Sequence, residues 1–319
     1  MILFCGIPSE PSLGMVIDAV RHLGTPHVVF HQREFASARI EFEIRGNAIS
    51  GVIALRDRVH RLEDFTVVYS RLMDHRLLPE LEGQPPDAPA RLHCAAVHDT
   101  LMRWCEIAPC LVLNRNADVG VNYSKPYQAQ LIQELGFPVP ETLVTNDPEL
   151  LRSFRRQHGQ VVYKSISQIR SIVKVLADAD LERLESIRSC PTQFQQYIPG
   201  INVRVHTVDG QAFATKITSA ATDYRYAYLE DEDERLEAMD LDDELEARCV
   251  ALGEALGLAF AGIDLKITPD CETYCLEVNP CPAFSYYQRH TGQPIAAAVA
   301  GFLAQNANAA VNANRDSQQ

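Results

Sequence analysis

Two short segments near the end of the sequence carry oxygen ligands at a spacing suited to a hard cation. Asp264 stands in GIDLK, and Glu277 and Asn279 stand in LEVNP. Both segments read as strands, and a turn at Pro269–Cys271 folds them into a hairpin with Asp264 opposite Glu277. Residues two apart on a strand share a face, so Glu277 and Asn279 point the same way. Two carboxylates and an amide oxygen then converge, a donor set that holds Mg²⁺ while phosphates and water complete the coordination. The competing reading is a strand whose polar side faces solvent, with Ile263, Leu265, Leu276 and Val278 on the other side.

Lysines supply the opposite charge. Lys125 follows Ser124 at the start of a helix, and Lys164 sits inside the apolar strand VVYKS. A lysine there is either an edge-strand charge or a group aimed at an anion. Ser165, Ser167, Arg170 and Ser171 form a hydroxyl-rich connection whose N–H groups and guanidinium could cover phosphates, although it lacks the glycines of a phosphate loop. A plain hairpin turn is the alternative.

Several elements must place these groups. The start reads as a β-α-β unit: a strand at Met1–Gly6, a helix over Pro11–Leu23 and a strand at His27–Phe30. A hairpin over 40–45 and 51–55, a strand at Phe65–Tyr69 and a helix at Ala95–Ile107 follow. After Pro109 come a helix from Ser124 to Leu135, a strand at Glu141–Val144 and a helix capped by Asp147 and Pro148. Strands are expected at 161–166, 171–175, 193–197, 202–208 and 212–218. A helix at Asp242–Leu256 then leads into strands 261–267 and 273–278. The acidic stretch Glu230–Glu246 reads as a solvated loop entering that helix. An apolar helix covers Ile295–Ala304, and the Asn- and Ala-rich remainder reads as disordered.

Lys125, Lys164, the segment FQQYI, Arg204, Asp264, Glu277 and Asn279 occur in the order and spacing of the ATP-grasp superfamily. The sequence most resembles the branch holding the ribosomal-protein glutamate ligase, glutathione synthetase-like enzymes and the ligases that macrocyclise ribosomal peptides. The resemblance covers Val112–Leu303 well and the first lobe loosely. It implies an α/β ATP-grasp fold with an N-terminal Rossmann-like lobe. Residues 1–111 would form that lobe, 112–198 a small lobe, 199–305 a C-terminal lobe with the metal site, and 306–319 a disordered tail. It further implies that Lys125, Lys164, Ser167 and Arg170 bind nucleotide phosphates, and that Gln195, Gln196, Tyr197 and Ile198 form the adenine hinge. Asp264, Glu277 and Asn279 would hold two Mg²⁺ ions, with Arg204 near the γ-phosphate and Arg225 as a second active-site arginine. The asparagine usual after that arginine is absent, and Gln168 and Ile169 stand where glycine is expected. Candidates for the base of the second step are Asp223, His206 and Glu272, each with a structural reading beside it. Cys281 and His290 follow the metal motif closely, where a buried cysteine and a surface histidine are the default readings.

The expected activity is ATP-dependent ligation of a carboxylate to an amine or hydroxyl through an acyl phosphate, on a peptide or protein side chain. Alternatives are a small-molecule amino-acid ligase, a kinase of the same fold and a silent nucleotide-binding module. At 319 residues and 46% apolar types the chain can bury a large core. A formal net charge of −13 argues against nucleic-acid binding. No window reaches a membrane span, and the start lacks a basic signal region, so a cytoplasmic enzyme is expected. Nine scattered cysteines fit a reducing compartment. Cys271 and Cys275 lack the second ligand pair of a zinc site. Homodimers are common in the resembled family.

Overall fold

The computed structural model describes residues 1–115, 124–164, 173–219 and 234–316. Strand β1 (Ile2–Gly6) is buried at every residue because both faces are covered. Helix α1 (Pro11–His22) is capped by the Glu10 carboxylate, which accepts from Ser12 and Leu13 N–H, and buries Leu13, Val16, Ile17 and Val20. Then come β2 (His27–His31) and a three-stranded antiparallel sheet of β3 (Ala38–Arg45), β4 (Ala48–Leu55) and β5 (Arg58–Arg61). β6 (Val67–Ser70), α2 (Pro89–Ile107) and β7 (Leu111–Leu113) complete the lobe. Its parallel sheet runs β2-β1-β6-β7. Ile2 and Phe4 pack on the α1 side, whereas Leu3 and Cys5 pack with Leu101 and Trp104 of α2. β7 pairs with β6, which joins Leu111–Leu113 to the sheet of the first lobe.

Helix α3 (Lys125–Glu134) precedes the small sheet of β8 (Thr142–Thr145), β9 (Val161–Lys164), β10 (Lys174–Val175) and β11 (Thr192–Gln196), ordered β10-β9-β11-β8. Helix α4 (Pro148–His158) covers it, with Leu151, Val161 and Phe194 in a separate small core. Ile132 of α3 and the following Phe137 pack into the C-terminal lobe, so α3 braces that lobe rather than the small one.

The third lobe is antiparallel, ordered β14-β13-β12-β15-β16: β12 (Ile201–Val208), β13 (Gln211–Ser219), β14 (Glu234–Met239), β15 (Phe260–Ile267) and β16 (Thr273–Asn279). Helix α5 (Asp243–Ala255) precedes β15; α6 (Ser285–Thr291) and α7 (Ile295–Asp316) end the chain. Two expectations change here. Part of the acidic stretch is strand β14, because Leu236 is buried beside Ile217 and Tyr287. The stretch after Ala304 continues α7 as helix to Asp316: alanine is the best helix former, Ala307 is buried against the first lobe, and its carbonyl accepts from Thr66 Oγ1 at 3.5 Å.

The first lobe grips the end of the β15–β16 hairpin. Asn114, held at a positive φ of 53°, donates through its amide to the carbonyls of Phe260 and Pro280, and its Oδ1 accepts from Phe260 N–H at 3.3 Å. Ser12 Oγ accepts from Phe284 and Ser285 N–H at 3.2 and 3.3 Å. Arg71 pairs with Glu10 at 3.0 Å and donates to the Pro282 carbonyl at 3.0 Å.

Asn114→Ala removes the shared partner of these backbone groups at a conformation that asparagine tolerates better than alanine, at a cost of about 2–3 kcal/mol. A fall in the thermal midpoint with native circular dichroism at low temperature is expected. An unchanged midpoint would contradict this role.

Candidate active site

The expected hairpin forms, with Asp264 of β15 directly opposite Glu277 of β16 and Gly262 opposite Asn279. A bulge between Asp264 and Leu265 adds one residue to β16. It turns Cys275 into the core and leaves Leu276 37% exposed, so Leu276 is not on the buried side as expected. Asn279 Oδ1 accepts from Cys281 N–H at 3.0 Å, which fixes the amide at the strand end.

Each carboxylate is held by a cation of the chain. Arg204 of β12 lies beside Asp264 in register, with Nη1 2.8 Å from Oδ2. Lys125 Nζ contacts Glu277 Oε1 from the first turn of α3, where Ser124 caps the helix. Arg204 is only 5% exposed, and its guanidinium lies 5.8 Å from the Tyr287 ring centre. Space for it comes from Gly262: a Cβ there would sit 2.2 Å from Arg204 Nη2 and 2.7 Å from Pro282 Cβ.

Gln128 is a positioning group that the residue pattern did not single out. One turn along α3 from Lys125, this buried amide donates to the Val278 carbonyl at 2.8 Å and accepts from Val278 N–H at 3.1 Å. β16 is an edge strand, and Gln128 satisfies its outward backbone groups between Glu277 and Asn279. Its spacing of three from Lys125 was the available signal.

In the small lobe, Lys164 of β9 is opposite Gln193, and Gln195 is opposite Val162. Those positions face away from Tyr163 and Phe194, which fill the small core. Gln195 donates to Thr142 Oγ1 at 3.0 Å, which orients its amide oxygen. Backbone N–H groups of Gln196 and Tyr197 are used within the small lobe, by the Glu141 and Gln160 carbonyls at 2.9 and 3.0 Å. Ile198 is buried. Gln193 is 2% exposed, and its Oε1 has no hydrogen-bond partner among the described residues. Below the hinge, Lys266 donates to Asn202 Oδ1 at 3.0 Å and lies 6.0 Å from the Tyr197 ring centre. Burial pulls its ammonium below the ordinary value.

Ser167, Arg170 and Arg225, with Asp223, lie outside the described residues. His206 is fully buried between Phe260 and Tyr287; burial, then the Arg204 charge, hold its imidazole well below its ordinary range. Glu272 is exposed in the turn of the hairpin, away from the carboxylate pair. Cys281 is exposed rather than buried and lies 3.4 Å from Arg71 Nη1. His290 is exposed on α6. Cys271 is exposed and Cys275 buried, so the two do not form a metal pair.

Gly262→Ala tests how Arg204 is held. The clashing atoms belong mainly to a side-chain end, so the fold should survive while the guanidinium is displaced. Misplacement on that scale lowers turnover by about 10²-fold, and ATP turnover beside the thermal midpoint reads both effects. Full activity in the variant would show that Arg204 is not needed where it lies.

A RimK-like ATP-grasp domain model matches residues 123–303. No protein of curated function matches the sequence. Among solved structures, the chain is similar to the ATP-grasp ligase PsnB complexed with a phosphomimetic variant of its minimal precursor, Mg and ADP: 25% identity, 96% of this chain and 98% of that one covered, TM-score 0.76. It shares the fold of the macrocyclase MdnC from Microcystis aeruginosa MRC, bound with precursor peptide MdnA, at 24% identity over 95% and 99% of the two chains with TM-score 0.78. It also shares the fold of the RiPP-associated ATP-grasp ligase of Chryseobacterium gregarium, in complex with ADP and a leader and core peptide, at 21% identity over 95% and 96% with TM-score 0.81. A match over more than half the sequence, on a hairpin that sets Asp264 against Glu277, places this chain in the RimK-like ATP-grasp family.

Proposed function

We propose that this ATP-grasp ligase joins a side-chain carboxylate of a peptide to an amine or hydroxyl, through an acyl phosphate and with release of ADP and phosphate. The observation that carries the reading is the facing pair Asp264 and Glu277, each accompanied by a cation from a different element. Support for a peptide comes from PsnB, whose structure over nearly the same length holds a precursor.

Carboxylate attack on a γ-phosphate brings anions together, so the site must supply positive charge. The hard oxygen donors of Asp264, Glu277 and Asn279 fit Mg²⁺ and would hold two ions, which when bound spread the charge of the phosphates. Lys125 and Arg204, now on those carboxylates, are within reach to turn toward phosphate oxygens once metal takes their place. Lys164 faces the same cleft from the small lobe, and we assign Ser167 and Arg170 to phosphate contacts and Arg225 to the acyl phosphate by family position. Gln195 and the Ile198 N–H, which no described residue accepts, read the adenine edge, with Gln196 and Tyr197 shaping the hinge between them. We place the enzyme in the cytoplasm, a reading that its nine free cysteines support.

Incubation with ATP, Mg²⁺ and acidic peptides that also carry lysine and threonine tests the proposal. A product one water lighter, formed in equal amount with ADP and phosphate and absent with Glu277→Gln, is expected. A phosphorylated peptide would instead make it a kinase, and AMP with pyrophosphate would overturn the acyl-phosphate route.

A further inference from the structure

The first lobe carries a second constellation that the ligation chemistry does not use. His75, on the 3-10 turn His75–Leu77, and His98 and Asp99 of α2 bring one ligand atom each to within 4.8 Å of one another. The two imidazole rings meet at 4.8 Å between centres, tilted by 44°. No hydrogen bond joins them to each other or to any other described residue. His98 Nδ1 is shut off from solvent with no hydrogen-bond partner among the described residues, a state that costs about 1–3 kcal/mol and calls for a reason. The exposed Asp99 carboxylate makes no ion pair among the described residues.

The supports of this cluster are stiff. Asp74 caps the turn by accepting from Arg76 N–H at 3.0 Å, and Arg76 Nη2 pairs with the same carboxylate at 2.7 Å. Arg76 is thereby turned onto Asp74 rather than onto the imidazoles. His98 lies in the middle of α2, with Val97 and Leu101 beside it in the lobe core. Ligands on such elements lose little freedom when they bind.

We propose that His75, His98 and Asp99 form a binding site for a divalent ion of the zinc class, separate from the magnesium site in the cleft. Two imidazole nitrogens and one carboxylate oxygen are of intermediate softness, which favours Zn²⁺ or Co²⁺ over Mg²⁺. Tetrahedral Zn²⁺ with bonds near 2.0 Å needs ligand atoms about 3.3 Å apart, and exposed Asp99 has room to close the remaining gap. Three protein ligands and a water complete such a centre. The ion would fasten the turn to α2 only a few residues after Arg71, which grips the backbone behind the metal hairpin.

The test uses the untagged full chain, stripped with chelator and titrated with Co²⁺ without nucleotide or Mg²⁺. One Co²⁺ per chain is expected, with tetrahedral visible absorption and no thiolate charge-transfer band, displaced by one Zn²⁺ and not by excess Mg²⁺. His98→Gln should abolish the signal, and Asp99→Ala, at an exposed position where misfolding is not at issue, should weaken binding at least about tenfold. Glu277→Gln should leave it intact, which separates this site from the cleft. Lack of stoichiometric binding, a thiolate band from the cysteines, or equal binding by Asp99→Ala and the unaltered chain would overturn the proposal.

Discussion

Two carboxylates facing each other on neighbouring strands repel, and the arrangement of this enzyme follows from how that repulsion is met. Like charges about 4 Å apart near a protein surface cost about 4 kcal/mol at an effective dielectric of 20. Asp264 and Glu277 are set opposite by strand register, so the penalty is built into the sheet. Arg204 offsets it from the adjoining strand and Lys125 from a helix end. The four charges sum to zero. In the proposed function, ATP with two Mg²⁺ ions would bring a balanced charge, so the same groups would exchange partners with little net change in local charge.

Such an exchange needs a rigid strand end. β16 is an edge strand, and it is secured from three directions: by β15 in the sheet, by Gln128 on its outer edge, and by Ser12, Arg71 and Asn114 of the first lobe on the chain just beyond or beside it. The parallel sheet of the first lobe thus serves the β15–β16 hairpin as much as its own core. The small lobe has a separate core and carries Lys164, Gln193 and Gln195 on the face opposite that core.

The hairpin was legible because strand alternation and a turn signal fix which residues oppose each other, and Asp264 and Glu277 do so. What local pattern could not supply was the bulge, since a one-residue insertion leaves no mark in composition; it exchanged Leu276 for Cys275 in the core. β7 was missed because three apolar residues pair only through a distant partner, and β14 because its acidic side chains hid the buried Leu236. α7 outran the expectation because alanine and asparagine were read as disorder where tertiary contact at Ala307 sustains a helix. Lys125 stood out in the pattern as a lysine behind a helix cap, whereas Arg204 was singled out only by family order; their ion pairs with Glu277 and Asp264 needed the fold. Gln128 shows in the sequence only as a spacing of three from Lys125, because its partner Val278 lies 150 residues away, and the room that Gly262 leaves for Arg204 is a contact between separate strands with no mark in local pattern.

The most direct test is thermal unfolding with a non-hydrolysable ATP analogue, with and without Mg²⁺, of the unaltered chain and of Glu277→Gln. Ligand that binds only the native state raises the midpoint, by about 2.7 kcal/mol of stabilisation at a hundredfold excess over Kd. A Mg²⁺-dependent rise that is largely lost in the variant is expected. An equal rise in both proteins, or none in the unaltered chain, would contradict the assignment of the Asp264 and Glu277 pair as the nucleotide-metal site.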